Sequence, residues 1–75
     1  MKWEYDIKTG HYNLRKNDAT ISICTKWQGR YNASVVFDNE PNTHKLLMKN
    51  GGVGNYTDLE HCKMAAELFD LEVLK

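Results

Sequence analysis

The feature that most constrains this chain is an alternation of apolar and polar residues, which recurs with period two from Trp3 to Phe37. Successive side chains of a β-strand point to opposite faces of a sheet, so this period predicts strands with one apolar face. Turn-forming residues interrupt it at Thr9-Gly10, Lys16-Asn17-Asp18 and Gln28-Gly29. We therefore expect an N-terminal hairpin over residues 1–15 and central antiparallel strands over 19–49, with the last strand at 46–48.

A helix is predicted after the strands, over residues 57–74. Thr57-Asp58-Leu59-Glu60 matches the capping box, in which Thr and Glu side chains satisfy the free amides of a helix start. One apolar stripe of this helix comprises Leu59, Cys62, Ala66, Phe69 and Val73. A chain of 75 residues has room for one domain, 1–75. Strands followed by one helix predict an α+β fold, in which an antiparallel sheet of three to five strands carries the C-terminal helix across one face.

The predicted helix has a second apolar line, formed by Met64, Leu68 and Leu71. Spacings of four and three place these side chains along one side of a helix, apart from the first stripe. We expect them to form either a docking surface for a partner or a homodimer seam. The alternative is that the N-terminal hairpin covers them through Trp3 and Tyr5. The sequence leaves both interpretations open, because one sheet face cannot cover both stripes.

Charge and composition exclude several classes of function. Ten Lys and Arg residues balance ten Asp and Glu residues, so no net charge attracts nucleic acid or acidic membranes. The N-terminus lacks the apolar run of a signal peptide, and no stretch approaches the roughly 20 apolar residues that span a bilayer. We expect a cytoplasmic protein that does not enter membranes, with Cys24 and Cys62 reduced.

No residue pattern predicts catalysis, a metal site or a cofactor. The histidines and cysteines show no paired ligand spacing; they are His11, His44, His61, Cys24 and Cys62. Nothing marks a nucleophile with a base and an orienting carboxylate. The glycine-rich segment 49–54 lacks the ending of a phosphate-binding loop, so we interpret it as a connection. The sequence therefore predicts a binding protein rather than an enzyme.

One group of basic and aromatic residues supports nucleic-acid binding as the alternative function. Its members are Lys26, Trp27, Arg30, Lys45 and Lys49. Aromatic side chains stack on bases and cations contact phosphates, so such a group on one hairpin and the adjacent strand suits a nucleic acid.

Segments 27–35 and 53–66 carry a resemblance to a known family. Their Trp, Gly-basic-aromatic and Ala pattern, followed by Gly-x-aromatic and an Ala-rich helix, is similar to the plant ethylene-response-factor DNA-binding domain and the arm-binding domains of phage integrases. The likeness covers residues 20–70 and implies a three-stranded sheet packed on one helix. The family reads DNA with Arg and Trp on the outer sheet face. The matching positions here contain no arginine; they are Ser22, Cys24, Asn32, Ser34 and Val36.

In size and style, the chain also resembles the small early proteins of phages and mobile elements, many of which inhibit a host enzyme or a defence complex. Anti-CRISPR proteins belong to this class. We therefore expect a non-catalytic inhibitor or adaptor that binds a host protein or nucleoprotein complex. The alternative is a DNA-binding module of the three-stranded-sheet type. Neutral charge and an outer sheet face without arginine favour the inhibitor.

Overall fold

The computed structural model of the chain describes residues 2–25, 30–47 and 56–74. Five strands form one antiparallel sheet in sequential order. The strands are β1 (Glu4–Asp6), β2 (His11–Lys16), β3 (Ala19–Thr25), β4 (Tyr31–Phe37) and β5 (Lys45–Leu46). Helix α1 (Leu59–Leu68) and a short 3-10 helix (Leu71–Leu74) follow. The predicted α+β fold, a sheet of three to five antiparallel strands with one C-terminal helix, is confirmed.

The core lies between the sheet and α1, where the alternating residues predicted to be apolar face the helix. Ile21 pairs with Val35 and Ile23 with Ala33, and all four side chains are fully buried. Helix α1 packs mainly against β4 and β3. Its fully buried residues, Cys62 and Ala66, join the core cluster with Phe37 and Leu47. Burial of these apolar side chains supplies the main driving force for folding.

The tight turns lie where the sequence predicts them. Gly10 has φ of 75° and Asn17 has φ of 56°, a left-handed conformation that Gly and Asn adopt at least cost. The predicted turn at 28–29 lies outside the described residues. The last strand is Lys45–Leu46 rather than 46–48; Leu47 is buried and donates its N–H to the carbonyl of Ala33, and residue 48 lies outside the described residues.

The prediction of one helix over 57–74 is wrong at both ends. The N-cap is Asp58, whose side chain accepts a hydrogen bond from the Glu60 amide, so the Thr57 capping box does not form. At the other end Phe69 is extended, with ψ of 134°, and α1 stops at Leu68. Asp70 then accepts a hydrogen bond from the Glu72 amide and starts the 3-10 helix. This break leaves Val73, which was predicted to face the sheet, 42% exposed.

Two lysines of the sheet hold the ends of the C-terminal segment. No basic residue lies in the last turn of α1, but the Lys16 ammonium donates to the carbonyls of Glu67, at 2.7 Å, and Phe69, at 2.9 Å. The Lys45 ammonium donates to the carbonyl of Leu74 at 2.8 Å. Cations stabilise the carbonyl end of a helix, so these contacts tie the C-terminal segment to the sheet.

Candidate protein-binding surface

The solvent side of α1 presents an apolar pair, and exposed carboxylates precede and follow this pair in the sequence. Met64 is 60% exposed and Leu68 is 82% exposed, and their spacing of four residues places them side by side. Asp58, Glu60 and Asp70 are exposed around them in sequence. We name these five residues the acidic helix surface. These two adjacent side chains form a small exposed apolar patch on the side of α1 opposite the fully buried Cys62 and Ala66.

The structure separates the three residues of the predicted second apolar line. Leu71 is 7% exposed and belongs to the core cluster, whereas Met64 and Leu68 face solvent. The break at Phe69 explains the difference, because residues after it no longer follow the angular spacing of α1. A line of three along one helix is therefore wrong, and Leu71 is not available to a partner at this surface.

The N-terminal hairpin contacts α1 beside this surface without covering it. Trp3 is half-buried and its indole N–H donates to the Glu67 carboxylate at 2.7 Å. The Lys63 ammonium lies 4.9 Å from the centre of the Tyr12 ring, and that ring packs 4.8 Å from the ring of Tyr5. Tyr5 is itself 56% exposed. The hairpin, which the sequence offered as a cover for the second apolar line, therefore contacts the flank of α1 through Trp3. Met64 and Leu68 are not covered by the described residues.

The C-terminal segment, residues 58–74, is acidic although the whole chain is neutral. Residues 58–74 contain five carboxylates and one lysine, which gives 1 − 5 = −4 with His neutral. The carboxylates are Asp58, Glu60, Glu67, Asp70 and Glu72. Lys63, the one lysine, is part-buried between Tyr12 and the Glu60 carboxylate, 3.4 Å away. The neutral charge of the whole chain gives no sign of this acidic segment, whereas a count of charged residues over the predicted helix alone shows it.

The structure describes two of the five residues predicted to bind nucleic acid, Arg30 and Lys45. Lys26, Trp27 and Lys49 lie outside the described residues. Arg30 is exposed just before β4. The Lys45 ammonium binds the Leu74 carbonyl, lies 3.4 Å from the Glu40 carboxylate and sits 5.4 Å from the centre of the Phe37 ring. Lys45 therefore holds the C-terminal segment, and this structural role competes with phosphate contact.

The central strands carry mostly short, uncharged side chains on the outer face of the sheet, opposite α1. Along the described strands these include Asn13 and the positions matched to the DNA-binding family, Ser22, Cys24, Asn32, Ser34 and Val36. Ser22 donates its hydroxyl proton to the Asn13 side chain at 2.7 Å. The prediction that this face lacks arginine is wrong, because Arg15 lies on it, but the Arg15 guanidinium is paired with Asp38. This face therefore supplies little positive charge for phosphates.

Two further properties concern the described residues. None of their His, Cys, Asp and Glu side chains forms a group of three or more that could hold a metal ion. No helix among them has the length and apolar character needed to cross a membrane.

Comparisons of the chain with protein-family models, with curated proteins and with solved structures found no match. The resemblance to the ethylene-response-factor and integrase arm-binding domains therefore stays a prediction.

Proposed function

We propose that this chain is a non-catalytic inhibitor or adaptor that binds a basic protein surface, of the kind nucleic-acid-binding proteins use to hold phosphates. The observation that carries the proposal is the acidic helix surface, where Met64 and Leu68 are exposed among Asp58, Glu60 and Asp70. Protein interfaces combine an apolar centre with a charged rim that complements the partner. A host protein or nucleoprotein complex with a basic groove has the matching chemistry.

Charge also favours this partner over a second copy of the chain. A homodimer through Met64 and Leu68 would bring together two segments that each carry a net charge of −4. Like charges facing each other across an interface are costly, whereas a basic partner gains both attraction and a faster encounter. The apolar pair then gives affinity and the carboxylates give selectivity for basic surfaces.

The test uses the full chain as bait on the heparin-binding fraction of a host cell lysate, which is enriched in proteins with basic surfaces. Leu68→Lys places a cation at the centre of the acidic helix surface. Leu46→Lys is the matched control, because Leu46 is 56% exposed on the outer sheet face. We expect wild type and Leu46→Lys to retain the same proteins, Leu68→Lys to lose about tenfold or more of them, and excess duplex DNA to displace them.

Two results would contradict the proposal. One is equal retention by Leu68→Lys and wild type, provided both show the same cooperative melt. The other is tight binding of the isolated chain to duplex DNA with a steep loss of affinity in salt, which would favour the DNA-binding alternative.

A further inference from the structure

The β1 edge of the sheet is suited to pairing with another chain. At the far edge from β1 lies β5, a strand of two residues that pairs with β4 at Ser34 and Val35. At the other edge β1 pairs only with β2 among the described residues. An edge strand of an antiparallel sheet directs alternate N–H and C=O groups away from the sheet, where a further strand can bind them.

The side chains of β1 present different chemistry on its two faces. Glu4 and Asp6 lie on the outer face, in the same rows as Asn13 and His11. Tyr5 lies on the face of α1, 56% exposed, with its ring against that of Tyr12. A strand added beside β1 would therefore place alternate side chains next to carboxylates on one face and next to an aromatic ring on the other.

We propose that β1 binds an extended segment of the basic partner as a sixth strand, with Lys or Arg beside Glu4 and Asp6 and apolar residues beside Tyr5. This inference rests on the proposed function, because it names the part of the basic partner that is bound. The partner would then contact β1 as well as the acidic helix surface. A hydrogen bond from Trp3, the residue before β1, to Glu67 connects this edge of the sheet to α1.

A second copy of this chain does not suit the same edge. Full antiparallel pairing of two β1 strands sets Tyr5 opposite Tyr5, so each Glu4 faces the Asp6 of the other copy. Like charges directly opposite each other destabilise a strand pair, and charged edge residues are a common device against self-association. The same carboxylates favour a strand that carries cations. The occupant is therefore a different, basic chain.

The test titrates the isotope-labelled full chain with an acetylated seven-residue peptide of alternating lysine and valine, observed by nuclear magnetic resonance. We expect the amides of Glu4–Asp6 to shift and the outward-directed N–H groups among them to gain protection from hydrogen exchange. The same peptide with a methyl group on every backbone nitrogen keeps its charge but cannot pair, and should not bind. Glu4→Lys should weaken binding about tenfold, while the matched change Glu40→Lys, at an exposed glutamate between β4 and β5, should weaken it less than about twofold.

Several outcomes overturn the inference: no binding of the alternating peptide, equal binding of the methylated peptide, or a larger loss with Glu40→Lys than with Glu4→Lys. Shifts confined to Met64 and Leu68 also overturn it but leave the proposed function standing. Protection of the β1 amides together with full retention of basic proteins by Leu68→Lys would support this inference and contradict the proposed function.

Discussion

Replacement of Lys16 by Met tests how the C-terminal segment is held on the sheet. The Lys16 ammonium reaches across from β2 to the carbonyls of Glu67 and Phe69, at 2.7 and 2.9 Å. Met has a similar length and apolar stem but donates no hydrogen bond, so the change leaves two carbonyls at the end of α1 without their cation. A hydrogen bond to a charged group contributes about 1.5–3 kcal/mol, and access of water to this part-buried site reduces the combined loss.

We expect Lys16→Met to lower the free energy of unfolding by about 2 kcal/mol and the melting temperature by about 8 °C or more. Thermal and urea melts followed by circular dichroism measure the change. Lys8→Met is the matched control, because Lys8 is exposed in the β1–β2 turn. Equal melting of the two variants would refute the reasoning, and would mean that the end of α1 is held by apolar packing alone.

Two further predictions concern titratable groups. The hydrogen bond from Arg15 lowers the pKa of Asp38. The ionised carboxylate therefore contributes stability above its ordinary pKa, and this stability is lost as the pH falls through the lowered value. Asp38→Asn should reduce the slope of stability against pH below about pH 4 in acid melts. Burial raises the pKa of the Cys62 thiol to about 11, so this thiol stays protonated at pH 8. Mass spectrometry should therefore show that iodoacetamide reacts with the half-buried Cys24 well before it reacts with Cys62. Equal rates at both cysteines would contradict the placement of Cys62 in the core.

Local sequence patterns predicted the sheet well because strand period and turn chemistry act between near neighbours. The alternation around Ile21 and Val35 reappears as the buried face of β3 and β4, and Gly10 and Asn17 take the left-handed conformations that turns require. The Cys62 side of the helix was predicted for the same reason, since a period of 3.6 is also a local property.

The candidate surface was predicted only in part. Met64 and Leu68 were named from the sequence and are exposed, but their neighbour in the predicted line, Leu71, is in the core. The carboxylates Asp58 and Asp70 were missed because the neutral charge of the whole chain hid their concentration around α1. A window of charge over each predicted element, rather than over the chain, is the signal that would have found them.

The sequence by itself determined the α+β fold class, the turns at Gly10 and Asn17 and the apolar face of the central strands, since these depend on residue types and side-chain period along a short segment. Only the tertiary structure decided that α1 ends at Leu68 and that Leu71 returns to the core. At that end the Glu67 carbonyl accepts a hydrogen bond from Lys16, on a strand 51 residues away in sequence. Periodicity carries no information about such a contact, so the exposure of Leu68 follows from packing of distant elements.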